Sequence, residues 1–173
     1  TIDNANLFGA GCGHPNDHCN AHLGNVTVKA TTDIKAMNSD SRVKNIYGGG
    51  NAGSVADVDL NIYPACNINI SSLYGGCRAA NISGTADVNI ELGDGGRIDT
   101  VYGGNDYAGW VNKVDLKLVT GTFGTVYGAG NGDYTYSDNC DKLTYNNDIL
   151  ITLGNNALAN NNDKLYIAGN LYG

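Results

Sequence analysis

The densest chemistry in this sequence lies in one short stretch, Cys-Gly-His-Pro-Asn-Asp-His-Cys-Asn-Ala-His at 12–22. It holds all three histidines of the protein (His14, His18 and His22) together with Cys12 and Cys19. Imidazole and thiolate suit zinc or copper, and a compact loop can present several of them to one ion. The spacing follows no standard zinc pattern, and nothing beside it has the character of a general base. The competing expectation is a Cys12–Cys19 disulfide that closes a surface loop and leaves the histidines exposed. Forming that bridge withdraws both thiolates from metal binding.

The other three cysteines are Cys66, Cys77 and Cys140. Cys66 and Cys77 are close enough in sequence to pair if turns of the chain bring them together. Cys140 is then left over, as a free thiol or as an intermolecular bridge. Asn-Gly-Asp at 131–133, with Asp138 and Asp141 nearby, offers oxygen ligands to calcium, although the nine-residue motif of calcium-binding β-rolls is absent. Asn25, Asn69 and Asn81 stand in Asn-x-Ser/Thr sequons, which are glycan acceptors in a suitable host. No catalytic constellation stands out. Arg42, Arg78 and Arg97 are scattered, and Glu91 is the sole glutamate. Two aspartates at the right separation would serve a glycosidase, but no such pair is singled out. The expectation is therefore a protein that is not an enzyme.

The elements that must position these residues are repeats. One phrase returns as LFGAG, IYGGG, LYGGC, VYGGN, VYGAG and LYIAG, starting at 7, 46, 73, 101, 126 and 165. Each of the first five is followed by apolar residues in strict alternation: Val26/Val28, Val58/Leu60/Ile62, Val88/Ile90/Leu92, Val114/Leu116/Leu118 and Ile149/Ile151/Leu153. Period two marks a strand with one buried face. A unit of 25–28 residues holding two or three such strands cannot bury its own apolar face, but stacked on copies of itself it can. The fold expected is all-β: a single β-solenoid over 1–173, a right-handed parallel β-helix of about five coils. Its glycines are expected in turns that need positive φ. Two longer spacings place insertions at about 12–23 and 133–145, on one face of the stack.

In this frame Phe8, Tyr47, Tyr74, Tyr102, Tyr127 and Tyr166 form an aromatic column. If Ile46, Leu73, Val101 and Val126 point inward, the tyrosines point outward, and Tyr47, Tyr74, Tyr102 and Tyr127 become candidates for stacking sugar rings. The outward positions of the alternating strands are expected to read Asp59/Asn89/Asp115 in one column and Asn61/Glu91/Lys117 in the next, a mixed, solvated surface.

With 10 basic and 17 acidic side chains the net charge is −7, which disfavours nucleic acid as a partner. No apolar run reaches the length of a membrane-spanning helix, and the first residues lack the form of a signal peptide. The 25 glycines, a similar number of asparagines and the scarcity of helix formers exclude a helical protein.

The [LIV]-Y-G-G-G-N phrase followed by a valine-rich alternating strand resembles the YGG-repeat regions of large surface or secreted proteins of gut bacteria, from Leu7 to Gly173. The resemblance implies an extracellular, cell-surface β-helix with an adhesin-like or structural role, and transfers no catalytic residues. The two insertions and five cysteines depart from the idealised repeat. Neither end of the sequence carries an obvious polar cap, so copies are expected to pack end to end into a fibre, or the chain to form part of a longer stalk. The competing reading is a carbohydrate-binding module, using the tyrosine ladder and the insertion loops.

Overall fold

The computed structural model describes residues 5–11, 23–30, 43–63, 68–93, 95–132, 144–154 and 164–173. Eleven strands follow one another: β1 (Asn6–Phe8), β2 (Leu23–Ala30), β3 (Val43–Tyr47), β4 (Val55–Ile62), β5 (Asn69–Tyr74), β6 (Ile82–Glu91), β7 (Arg97–Tyr102), β8 (Gly109–Tyr127), β9 (Thr144–Leu153), β10 (Leu165–Ile167) and β11 (Leu171–Tyr172). No helix occurs among the described residues, and so none long and apolar enough to cross a membrane.

Every strand pairing among the described residues is parallel. Eight strands form one curled sheet in the order β1-β3-β5-β7-β8-β6-β4-β2, to which β9, β10 and β11 add through β8. The chain alternates between two stacks. Odd-numbered strands up to β7, the second half of β8, and β10 with β11 build the stack that carries the repeated phrase. Even-numbered strands, with the first half of β8 and with β9, build the valine-rich stack. Strand β8 serves both because it turns the corner without a loop. Gly121 there adopts φ +117 against the Leu92 side chain, a conformation and a closeness that only glycine tolerates. This parallel, all-β, solenoid-like arrangement is what the repeats require. What reads in sequence as a weak third element, such as Arg97–Thr100, is the first half of the strand that ends in the phrase.

The core is a set of apolar columns. In the valine-rich stack the register aligns Val26, Val58, Ala86, Val114 and Ile149, and beside them Val28, Leu60, Val88, Leu116 and Ile151. In the other stack Ile46, Leu73, Val101, Val126 and Leu171 form one column, and Ile70, Ile98, Phe123 and Ile167 another. Members of the middle tiers are fully buried.

The glycine after the aromatic explains the phrase. Gly9, Gly48, Gly75, Gly103 and Gly128 share one corner. A Cβ on Gly75 would lie 2.3 Å from the Gly103 carbonyl oxygen and 2.6 Å from Val88 Cγ2, and Gly9, Gly48 and Gly103 are as tight. None of these glycines has positive φ. The expectation of positive φ holds at Gly95, Gly132 and Gly154 but is corrected for the phrase: Gly9, Gly48, Gly75 and Gly103 are glycine because the next tier's backbone passes too close for a side chain, and Gly128 because the Ile149 and Ile151 side chains do. The corner's hydrogen bonds show that closeness, with Gly48 N–H donating to the Tyr74 carbonyl at 2.9 Å and Gly75 N–H to the Tyr102 carbonyl at 2.8 Å.

The outer columns also differ from the expected ones. Thr27, Asp59, Asp87, Asp115 and Leu150 align, and Lys29, Asn61, Asn89, Lys117 and Thr152 form the next column. Asn89 and Glu91 fall out of the positions assigned to them because the inward partner of Val58 is the small Ala86, not Val88. Three aspartates therefore stand in a row. Burial and the neighbouring Asp115 and Asp59 carboxylates push the Asp87 pKa up, against the pull of Lys113 and Lys117.

Candidate functional site

Sequence reasoning singled out the tyrosines, and the fold does gather them. With Ile46, Leu73, Val101 and Val126 pointing into the core, the next residue of each strand points out. The rings of Phe8, Tyr47, Tyr74, Tyr102, Tyr127 and Tyr172 stack with centroids 4.6, 4.8, 4.9, 4.9 and 4.9 Å apart and interplanar angles of 3–8°. The last rung is Tyr172, not Tyr166. Tyr166 pairs with Thr122 and is 54% exposed. The signal was present in the sequence: every rung is followed by glycine, including Tyr172-Gly173, whereas Tyr166 is followed by Ile167, which the corner cannot accept.

Stacking has a chemical consequence. Ring faces lie against ring faces; Tyr47 and Tyr74 are buried, and the half-buried Tyr102 and Tyr127 present edges and hydroxyl groups to their surroundings. The flat contact that a sugar ring makes with an aromatic face is open only at the two ends, on Phe8 and Tyr172.

Alongside the ladder runs a second column that the repeat pattern does not announce. Three residues past each aromatic stand Gly50, Cys77, Asn105 and Gly130, and one residue further stand Asn51, Arg78, Asp106 and Asn131. Backbone hydrogen bonds link successive tiers, such as Asp106 N–H to the Cys77 carbonyl at 3.0 Å and Gly132 N–H to the Asp106 carbonyl at 2.7 Å. Asn105 is wholly buried. Its Oδ1 accepts from Cys77 N–H at 2.7 Å, and its Nδ2 donates to the Ala80 carbonyl at 2.8 Å, so one side chain ties two tiers together at the corner.

Asp106 is 4% exposed, and its carboxylate is held from two directions. The Tyr47 hydroxyl donates to Oδ2 at 2.8 Å and Asn131 Nδ2 donates to Oδ1 at 3.0 Å. Burial first, and then the Asp106 charge and its hydrogen bond, push the Tyr47 pKa far above that of an ordinary phenol. The same causes, with the neighbouring Tyr102, raise Tyr74. Both hydroxyls remain protonated donors across the physiological range. Arg78 is fixed as well: Nη1 donates to Asn51 Oδ1 at 3.0 Å, and the guanidinium lies 4.5 Å over the Tyr107 ring. Replacing Tyr47 by phenylalanine keeps the ring in the stack but removes a donor from a buried carboxylate. The expected cost is about 2 kcal/mol, read as a lower denaturation midpoint; an unchanged midpoint would mean the hydroxyl contributes nothing.

Between the ladder's first tiers and this second column lies a cavity of about 500 Å3. Phe8, Tyr47 and Tyr74 form its aromatic side. Arg78, Asp106 and Tyr107 face them, and Lys44, Asn45 and Asn6 close the rim. Sequence reasoning did not find this groove, because the wall facing the ladder comes from residues four and five positions past the aromatics of four different copies of the phrase.

The remaining sequence candidates fare differently. Cys12, Cys19, Cys66, Cys140, His14, His18 and His22, with Asp133, Asp138 and Asp141, lie outside the described residues. Among the described residues no three His, Cys, Asp or Glu side chains come together as a metal site. Cys66, the expected partner of Cys77, is among the residues outside those described, and Cys77 is a free, buried thiol. It packs into the corner with its Sγ 3.7 Å from the Gly53 carbonyl oxygen, and burial pushes its pKa up to about 11. Of the sequons, Asn25 and Asn69 are exposed on their strands, while Asn81 uses its Oδ1 to accept from Trp110 N–H at 3.1 Å.

No family model, no curated protein and no solved structure matches this chain.

Proposed function

We propose that the protein is a structural, extracellular β-solenoid of about five right-handed coils that associates end to end into a fibre, as part of the kind of bacterial surface stalk that its YGG phrases resemble. Right-handed winding follows from the strong preference of parallel crossover connections for that hand. The role is mechanical: backbone hydrogen bonds run along the axis, and the apolar columns and the aromatic ladder resist sliding of one tier over the next.

The observation that carries this reading is the register of the outermost described tiers, which continue the columns of the core. The columns buried in the middle tiers come to the surface there. Phe8 is 38% exposed at one end, and Leu153, Leu171 and Tyr172 are 46%, 42% and 46% exposed at the other. The exposed residues belong to the same columns, so Tyr172 of one copy and Phe8 of the next would continue one ladder. A parallel edge left with unpaired backbone groups is itself a template for another chain, and a head-to-tail contact that does not close gives a filament. The net charge of −7 keeps such fibres from clumping sideways.

A charge placed on the open end tests this. Leu171→Asp is expected to lower the average mass seen by sedimentation at high protein concentration towards that of the monomer, with the circular dichroism of the strands unchanged. Wild-type protein that is already monomeric under those conditions would overturn the reading.

A further inference from the structure

We propose that the groove beside the first tiers of the ladder is a binding site for an acidic saccharide, one or two sugar rings carrying a carboxylate. At about 500 Å3 it lies within the size range of small-molecule sites, roughly 300–1,000 Å3.

The charge of the groove runs against that of the chain. The protein as a whole carries −7, yet this cavity gathers two cations, Lys44 and Arg78, around one carboxylate, Asp106. That carboxylate is 4% exposed and accepts from Tyr47 and Asn131; its charge also acts on Arg78, so the two cations together leave the groove with a positive excess for an anionic ligand. Arg78 is pre-positioned. Asn51 holds one of its nitrogens and Tyr107 supports its plane, which leaves further N–H donors of the guanidinium for a planar carboxylate. Lys44 is exposed at the opposite rim and adds a second charge without fixing a geometry.

The rest of the lining selects hydroxyl groups over apolar surface. Asn45 Nδ2 donates to Asn6 Oδ1 at 2.9 Å, a contact that leaves Asn45 with its carbonyl oxygen and Asn6 with its amide hydrogens for a ligand. Paired donors and acceptors of this kind match vicinal sugar hydroxyls. Tyr47 and Tyr74 are buried where the ladder borders the groove, and the Tyr47 hydroxyl is committed to Asp106, so the ladder offers no broad apolar wall there, which disfavours lipids and aromatic ligands. Its walls all belong to one chain, but Asn6 and Phe8 on β1 also belong to the end that would meet another copy, so binding is measured on protein kept monomeric.

The test is calorimetric titration of the full chain, in a Leu171→Asp background so that association adds no heat, with digalacturonate and with its methyl ester. The ester keeps every hydroxyl and removes the charge. The expected result is saturable binding of the acid, about tenfold tighter than the ester, weakened by added salt. Lys44→Ala, on the exposed rim, and Asn45→Ala, half-buried beside it, are expected to lower the affinity several-fold, with the Lys44→Ala denaturation midpoint unchanged. Three results would overturn the proposal: no saturable binding of the acid, equal binding of the ester, or inorganic sulfate displacing the acid at equal concentration, which would reduce the groove to a simple anion site.

Discussion

Alanine at Gly75 is expected to lower stability by about 3 kcal/mol, enough to leave a domain of ordinary stability close to unfolding. The added methyl group has nowhere to go. It would sit 2.3 Å from the Gly103 carbonyl oxygen on one side and 2.6 Å from Val88 Cγ2 on the other. The first of these atoms is backbone, fixed by the Gly75 N–H bond to the Tyr102 carbonyl and by the stack beyond it, so the tier itself must move. Displacing the tier loosens the neighbouring rungs of the ladder at the same time. Gly24→Ala is the control, since a Cβ there meets nothing within 4 Å and should change stability by no more than about 0.5 kcal/mol. Chemical denaturation of the two variants decides the matter. Equal midpoints would mean that the phrase's glycine is a habit of the repeat rather than a packing requirement.

The second large effect belongs to Asn105. Removing its amide with Asn105→Ala leaves the Cys77 N–H and the Ala80 carbonyl unpaired in a wholly buried corner. At about 1–3 kcal/mol for each stranded group, a loss of about 2–4 kcal/mol is expected from denaturant unfolding. Asn105→Asp sharpens the test because it separates shape from chemistry. The aspartate still accepts from Cys77 N–H, but when ionised it turns an oxygen towards the Ala80 carbonyl. The buried acid's pKa is then raised above its unfolded value, so the variant is least impaired below the ordinary carboxylate pKa and loses stability as pH rises from there through the folded value. An Asn105→Asp protein with the same stability relative to wild type at pH 4 and pH 7 would show that the amide's donor makes no difference.

These two positions also mark what was legible in the sequence. Period-two alternation in Val58/Leu60/Ile62 and its copies fixes strands with one buried face, and the returning phrase fixes a stack. Together these imply parallel pairing, because a repeat that rests on its own copy keeps its direction. The ladder was legible for the same reason. Its last rung was not, because the LYIAG copy carries a tyrosine in the expected place, and only the packing role of the following glycine separates Tyr166 from Tyr172. The outer columns were misread at Ala86, a residue too small to register as an inward position although it lies opposite Val58. Asn105, Asp106 and Arg78 could not be found from periodicity at all. They stand at corner positions where the other tiers carry glycine, cysteine or asparagine, and their roles depend on contacts across one or two tiers. The wall of the groove that faces the ladder is built from such residues, which is why its chemistry appears only in three dimensions.

The central claim is that tiers stack along one axis and that the open ends carry the stack from copy to copy. Electron microscopy of concentrated protein, with diffraction from aligned fibres, tests it directly. The account predicts unbranched filaments one solenoid wide, with a strong reflection at about 4.8 Å along the fibre axis, because every strand lies across that axis. Discrete particles no longer than a single stack at every concentration, or filaments with the strand spacing running across the axis, would contradict it.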